Sequence, residues 1–391
     1  MGRHHAHRRR PAAAPPGQRR QAQLGPDAPH PPRRLHRHAA RPGGQVTTGA
    51  APAAERVVLD CTLRDGGYYT NWEFDTALVR DYLALCPRLG VNVVELGYVR
   101  FHEGNWGPYG DLPGALTQEL AGALPDGHGL RFAVMVDAAD FAGLPPGKVG
   151  QLLADKLVDS AIPVDLVRVA VRYNRVAGCV EAVQSLREAG FGVCLNLMQI
   201  DLASEEETDA CVGAAQRMGP LEALYLADSL GSLRPARTAR LVRRLATGVG
   251  APVGIHAHEN QGFALHNTLV AQAEGATWLD GTVHGMGRGA GNTRTEELLA
   301  ALGAEADTLQ PLQELIVRHF LPLMERYRWG AGGLYGLAGL HHVHPTYVQR
   351  LEESLGQDQE AKIRAMDFLA KVPSASFTAA LLESAEDHAR G

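Results

Sequence analysis

Between residues 56 and 303 short apolar, β-branched runs alternate with longer amphipathic stretches, and this alternation restricts the fold more than any other feature of the chain. The strand-like runs fall at 56–60, 91–98, 131–136, 166–171, 191–198, 223–228, 253–258 and 278–283. Helix-like stretches at 75–89, 147–161, 176–189, 204–218, 235–248 and 261–275 lie between them. Several of these stop at a glycine (Gly90, Gly190, Gly219, Gly275), the residue that most readily takes left-handed backbone just past a helix. Asp75 and Ser204 are placed to cap helix starts. Repeated strand–helix units imply right-handed crossovers and a parallel sheet. Eight units of about 30 residues predict a (β/α)8 TIM barrel. The competing arrangement, an open doubly wound sheet, is weakened by the lack of a Gly-x-Gly-x-x-Gly turn after the first strand. Residues 304–391 read as a helical C-terminal region, with an amphipathic helix at 309–327 and a Gly- and aromatic-rich connection at 329–336.

Charge divides the 391-residue chain unevenly. Residues 1–54 hold ten Arg and one acid, Asp27, a net +9, which leaves −14 for the rest of a chain whose total is −5. The 1–54 segment is also rich in Pro, His, Ala and Gly, so it cannot bury enough apolar surface to offset its ordering entropy and is expected to be a disordered basic extension. A basic arm, a transit peptide and translated sequence upstream of the true start compete to explain it, and a functionless extension is favoured. The acidic body argues against nucleic-acid binding. No apolar run reaches the length of a membrane span. Five scattered cysteines without a Cys-x-x-Cys pair fit reduced thiols and a cytoplasmic setting.

In such a barrel, chemistry sits at the C-terminal ends of the strands, and here these ends are far more polar than the strands. Val253-Gly-Ile-His-Ala-His-Glu259 places His256 and His258 two residues apart on one strand face. An isolated His-x-His is more often an ordinary polar strand end than a metal site. Asp65, just past the first strand, changes that balance, because strands one and seven of a closed barrel are near neighbours. One carboxylate and two imidazoles with open positions suit Mn2+, Mg2+ or Co2+, and Zn2+ less well. Arg64 could steady an enolate or a substrate carboxylate, or form a structural ion pair with Glu95. Glu95 reads more readily as that partner than as a base. After the eighth strand, Val283-His-Gly-Met-Gly-Arg-Gly-Ala-Gly-Asn292 forms a Gly-rich loop suited to anion binding or to closing over substrate, with Asn292 either a fourth ligand or a helix N-cap. His341, His342 and His344 read as an irregular turn before Pro345 rather than as a second metal site.

These motifs, with Leu59-Asp-Cys-Thr-Leu-Arg-Asp-Gly-Gly67, Val94-Glu-Leu-Gly97 and Ala227-Asp-Ser-Leu-Gly-Ser-Leu-Arg-Pro235, occur in one order across residues 56–303. Together they resemble the pyruvate carboxyltransferase-like (DRE-TIM metallolyase) superfamily, which includes hydroxymethylglutaryl-CoA lyase, isopropylmalate synthase and 4-hydroxy-2-oxovalerate aldolase. The resemblance implies that Asp65, His256 and His258 are metal ligands, that Asn292 is a fourth, and that Arg64 stabilises the enolate. Arg64, Asp65 and Glu95 match the three residues of the superfamily's short name. The chain is most similar to the 4-hydroxy-2-oxovalerate aldolase branch, which has a helical C-terminal region. That likeness makes Arg168, Asn196, Gln199 and Tyr335 substrate-binding candidates. The branch carries an acid/base histidine three residues after the metal-binding Asp. Here that position is Tyr68, a phenol that ordinarily titrates near pH 10, so proton transfer must differ: either Tyr68 is the catalytic group with its pKa lowered near the cation, or a metal-bound water or a residue from elsewhere acts.

The resulting expectation is a metal-dependent aldolase, with manganese the first choice of ion, that makes or breaks a C–C bond of a 4-hydroxy-2-oxo acid through a pyruvate-type enolate. The expected partners are a 2-oxo acid and an aldehyde, with homo-oligomers and a dehydrogenase partner also expected, and neither nucleic acid nor membrane. An acyl-CoA-dependent Claisen synthase and a catalytically silent, partner-binding barrel are the alternatives.

Overall fold

The computed structural model describes residues 56–391, so the basic extension expected at 1–54 lies outside the described residues. Eight strands, β1 (Val57–Asp60), β2 (Val93–Tyr98), β3 (Arg131–Asp137), β4 (Leu166–Arg172), β5 (Gly192–Met198), β6 (Ala223–Ala227), β7 (Val253–His256) and β8 (Trp278–Gly281), close into a barrel in sequence order. Every pairing is parallel, and β1 bonds both β2 and β8. Strands β2, β6, β7 and β8 are buried at every residue, as a parallel sheet covered on both faces requires. The barrel interior has an apolar floor that includes Leu59, Val93, Leu166, Cys194 and Trp278.

The covering helices include Thr76–Leu85, Val149–Leu157, Val180–Glu188, Glu205–Met218, Pro235–Val249 and Ala264–Ala273, each inside or within a residue of its expected stretch. Asp75 caps the first by accepting from the Ala77 and Leu78 N–H groups, and Ser204 forms a capping box with Glu207. Gly90, Gly190, Gly219 and Gly275 all have positive φ. Gly114–Ala121, between β2 and β3, starts at a glycine without a side-chain cap, which is why its sequence carries little helical signal.

Two strands stop two residues before their expected C-terminal ends. β7 ends at His256 and β8 at Gly281, because the Gly-rich return crosses the barrel mouth and takes the backbone bonds of the residues beyond. His258 pairs with Asn292 in an isolated antiparallel bridge, and Thr282 pairs with Arg294. Glu259 N–H donates to Gly291 O at 2.9 Å and Thr293 N–H to Ala257 O at 3.2 Å.

The C-terminal region has two parts. A helix runs from Ala306 to Tyr327, with a π segment at Ile316–Phe320 where Pro322 supplies no N–H to the preceding turn. Its Leu312, Leu315 and Phe320 belong to the main core. The helices Gly333–Leu340, Pro345–Ser354, Gln359–Leu369 and Ala379–Arg390 surround a second core that includes Val343, Tyr347, Leu351 and Met366. Part of the Gly-rich connection is therefore helical. His341 and His342 are exposed, while His344 caps the helix at Pro345, so the three do not converge. The five cysteines are buried and free, and no helix among the described residues is long and apolar enough to cross a membrane.

A single helical turn after β1, Thr62–Asp65, carries Arg64 and Asp65 to the barrel mouth. Asp60 fixes it, accepting from Thr62 N–H at 2.9 Å, Thr62 Oγ1 at 2.6 Å, Tyr82 Oη at 2.7 Å and Thr295 Oγ1 at 2.5 Å. Asp60→Ala leaves these buried donors without an acceptor and is expected to cost about 3 kcal/mol or more in urea unfolding.

Burial, with Arg288 and Arg172 contributing, pulls the His344 imidazole down to about 3. An unfolded histidine binds its proton near pH 6.5, so between those values the unfolded chain holds the extra proton and stability rises with pH and is lost on acidification. Acidification to about pH 4 should therefore cost up to about 3 kcal/mol through this residue. His344→Asn, which keeps a capping acceptor, should abolish that part of the loss when unfolding curves at neutral and acid pH are compared.

Candidate metal centre

The turn after β1, the end of β7 and the Gly-rich return meet at the mouth of the barrel. Ligand atoms of Asp65, His256 and His258, all buried, lie within 4.8 Å of one another. His256 Nε2 is 3.2 Å from His258 Nε2 and 3.8 Å from Asp65 Oδ2. Two metal–nitrogen bonds of about 2.1 Å, at angles between right and tetrahedral, span about 3.0–3.4 Å, so the imidazole pair fits one ion. On the far side of its ring, His256 Nδ1 is 3.0 Å from Asp280 Oδ2. That contact assigns the proton to Nδ1 and leaves the Nε2 lone pair facing the cluster. His258 Nδ1 and Asn292 Oδ1 are buried without hydrogen-bond partners among the described residues, a condition buried polar atoms seldom keep.

Electrostatics point the same way. Burial alone would raise the Asp65 carboxyl, but Arg64, with His256 and His258, holds it well below the usual carboxylate range. Burial first, then His256, holds the His258 imidazole well below its ordinary value. An ionised carboxylate beside a neutral imidazole is the protonation state a divalent cation takes. Within the cluster three carboxylates, Asp65, Glu95 and Asp280, face two guanidiniums, Arg64 and Arg168, so negative charge is in excess where the ligands converge. The residues present therefore fit a divalent cation. A second group, Cys61, His256 and Asp280, also clusters. It is support rather than a site: Arg168 Nη2 occupies Asp280 at 2.6 Å, and burial keeps the Cys61 thiol protonated.

The other candidates separate. Arg64 donates from Nε to Glu95 Oε2 at 2.8 Å and from Nη1 to Asp65. Glu95 is fully buried and also accepts from Arg168 Nη1 at 3.0 Å, which makes it the partner of two guanidiniums. Arg168 is not placed to bind substrate: it is 0% exposed, spans Glu95 and Asp280, and stacks 4.5 Å from the Tyr225 ring centre. Gln199 is likewise spent elsewhere. Its Oε1 accepts from Arg172 at 2.6 Å, and its Nε2 donates to Ala375 O at 2.7 Å, tying the end of β5 to the C-terminal region. Asn196 is buried on β5 with its Oδ1 unpaired, two residues along from Cys194 of the interior floor.

Asn292 is not a helix cap, because Thr295–Ala301 starts after Arg294. It bridges to His258 and donates from Nδ2 to Asp65 Oδ2 at 2.5 Å. Gly287 must be glycine here, since a Cβ would lie 2.4 Å from Asn292 Nδ2 and 2.7 Å from Asp65 Oδ2. Tyr69 Oη donates to Gly289 O at 2.8 Å and Arg288 Nη2 to Ser229 O at 2.8 Å, pinning the loop from both sides. Tyr335 packs over Gly289 rather than over the ligands.

Beyond this rim a cleft of about 1270 Å3 separates Tyr68, Tyr69 and Trp72 from Tyr327, Tyr335 and the C-terminal helices. None of Asp65, His256 and His258 lines it. Sequence reasoning missed Asp280, which lies within β8 rather than past its end. Its signal was an acid inside a fully buried strand, Trp278-Leu-Asp-Gly281. Asp228 was missed as well. Its carboxyl is pushed well above the usual range by burial and then by Asp201, and it accepts from the Ser232 and Leu233 N–H groups, fastening the turn after β6.

If Asp280 orients His256, Asp280→Asn should weaken Mn2+ binding about 10–100-fold in a metal titration. Unchanged affinity in a folded variant would remove Asp280 from the site.

The chain matches the HMGL-like family model over residues 161–317. It is 30% identical over 312 residues to a 4-hydroxy-2-oxovalerate aldolase of Brevibacillus brevis, covering 77% of this chain and 87% of that protein. A 4-hydroxy-2-oxovalerate aldolase of Burkholderia pseudomallei is 30% identical over 319 residues, 78% of this chain and 86% of the relative. Among solved structures, the one described as "the N-terminal domain of a putative aldolase from Bacteroides vulgatus" superposes with a TM-score of 0.66 and 28% identity, over 76% of this chain and 97% of that one. The carboxyl transferase domain of Rhizobium etli pyruvate carboxylase shares the fold, with a TM-score of 0.62 and 17% identity over 85% of this chain and 61% of that one. With its barrel closed in the expected order and relatives matched over most of its length, the chain belongs to the HMGL-like, pyruvate carboxyltransferase-type family.

Proposed function

We propose that the protein is a divalent-cation-dependent aldolase, a carbon–carbon lyase that breaks or makes the C3–C4 bond of a 4-hydroxy-2-oxo acid. The observation that carries this reading is the convergence of ionised Asp65 with His256 and neutral His258 beside the Arg64 guanidinium at the barrel mouth. The names of the relatives support the same class. A bound cation, with Mn2+ the first choice, would polarise the 2-oxo group of the substrate.

The protein's own groups divide the remaining work. Arg64 is held by Glu95 at Nε and by Asp65 at Nη1, so its plane is fixed before substrate arrives, and charge developing on the 2-oxo oxygen meets a preorganised cation. Burial lowers the tendency of Arg64 to hold its proton, but Asp65 and Glu95 more than reverse this, so it remains cationic. To Tyr68, 38% exposed and lining the cleft, this reading assigns the proton exchange with the 4-hydroxyl or with C3. The cleft beyond Tyr68 and Tyr69 gives room for the aldehyde.

Incubation with pyruvate and Mn2+ in deuterium oxide should exchange the pyruvate methyl protons, and a panel of aldehydes should yield 4-hydroxy-2-oxo acids. Asp65→Ala and His256→Ala should each lose bound metal and lower both rates by at least about 100-fold. If both variants keep full metal content and turnover, the reading is wrong.

A further inference from the structure

A phenol with a pKa near 10 is ionised to only about one part in a thousand at neutral pH, so Tyr68 by itself is a poor base. Its surroundings differ from those of a free phenol. Tyr68 Oη lies 3.0 Å from Tyr98 Oη. Tyr98 ends β2 and is 4% exposed. Burial, and then the charge of an ionised Tyr68, push the Tyr98 phenol well above its ordinary value. Within the pair, Tyr98 therefore keeps its proton and can offer it to the Tyr68 oxygen.

Three guanidiniums face the pair from three different elements. Arg64 comes from the turn after β1. Arg100, just past β2, has its Cζ 4.0 Å from the Tyr98 ring centre. Arg288, in the Gly-rich loop, has its Cζ 5.6 Å from the Tyr68 ring centre. The acids nearby are engaged with those cations: Asp65 and Glu95 with Arg64, and Asp140 with Arg100 at 3.7 Å. Trp72 packs against both rings, with centroids 4.9 Å from Tyr68 and 5.7 Å from Tyr98. The phenol pair thus sits in a half-buried corner at the edge of the cleft, with three guanidiniums and their carboxylate partners around it.

We infer that Tyr98 is a positioning residue for Tyr68: its hydroxyl donates to the Tyr68 oxygen and stabilises the phenolate, so that Tyr68 does the acid/base work of the aldol step. The inference rests on the aldolase reading above. In cleavage, the Tyr68 phenolate takes the proton of the substrate 4-hydroxyl, and that O–H electron pair becomes the second bond of the aldehyde carbonyl. The C3–C4 bond breaks, and its pair moves into the C2–C3 enolate. The Tyr68 hydroxyl then returns the proton to C3, giving the methyl group of pyruvate and regenerating the phenolate. In the synthetic direction the same transfers run backwards. Both need a Tyr68 oxygen that gains and loses a proton near neutral pH, which is what a fixed donor and nearby cations favour.

Tyr98→Phe removes the donor and keeps the ring against Trp72 and Arg100. Near-ultraviolet phenolate absorbance is titrated with pH in the full-length wild type, Tyr68→Phe, Tyr98→Phe and doubly substituted proteins, and in each background the difference made by Tyr68→Phe reports the ionisation of Tyr68. The expected result is a Tyr68 ionisation about one to two pH units higher in Tyr98→Phe. The rising limb of the pH–kcat profile for pyruvate proton exchange should move with it, while KM for pyruvate changes less than about twofold. An unmoved Tyr68 ionisation in Tyr98→Phe overturns the inference. So does Asp65-dependent exchange that survives intact in Tyr68→Phe, although that outcome leaves the aldolase reading standing. Absence of exchange in the metal-supplied wild type refutes the aldolase reading, and with it the acid/base work assigned to Tyr68.

Discussion

Charge buried inside the barrel is the constraint on which the rest of the site depends. Glu95 and Asp280 lie almost entirely out of water, and Arg168 bridges them at 3.0 and 2.6 Å while lying against the Tyr225 ring. Either carboxylate alone would cost several kcal/mol to bury, so the three groups are retained together or not at all. Each carboxylate then holds a second group. Glu95 takes Arg64 Nε, and Asp280 takes His256 Nδ1. The ion network thus sets the plane of the guanidinium and the tautomer of the imidazole in a single arrangement. The chemistry at the mouth rests on a fixed electrostatic floor rather than on mobile surface side chains.

The Gly-rich return closes that arrangement from above. Its backbone bonds to the extended residues beyond β7, its Asn292 meets Asp65, and Gly287 lets the two approach closely. Tyr69 and Tyr335 lie over the same loop from the side of the cleft. The C-terminal helices are tied to the barrel rim through the Gln199 bond to Ala375 and the Arg172 bond to Ser376. One wall of the cleft therefore comes from the barrel and the other from the C-terminal region, with Tyr68 on the barrel side.

The barrel and the candidate cluster of Asp65, His256 and His258 were legible in the sequence because both follow local rules. Eight alternating units with glycine stops and side-chain caps specify strand and helix without long-range information. Asp65, His256 and His258 fall at strand ends, where the barrel concentrates chemistry. Arg168, Gln199 and Asp280 were misjudged or missed for a common reason. Whether a polar side chain near a strand end faces substrate or another buried group depends on the strand opposite, 73 residues away for Arg168 and Glu95 and 112 for Arg168 and Asp280. No local pattern records that choice. Asn292 was undecided between ligand and cap for the same reason: its partner, Asp65, is 227 residues distant.

By itself the sequence determined the order of strands and helices, the turn that carries Arg64 and Asp65, and the two histidines near the end of β7, because backbone periodicity, caps and turn glycines act over a few residues. Only the tertiary structure decided which charges neutralise one another. It placed Arg168 beneath the site, set Asp280 behind His256, and brought Tyr98 to Tyr68 across 30 residues of chain. The physical reason is that a buried charge or hydroxyl is satisfied by whatever closure of the barrel brings within about 3 Å, and that neighbour is not fixed by adjacency in the chain.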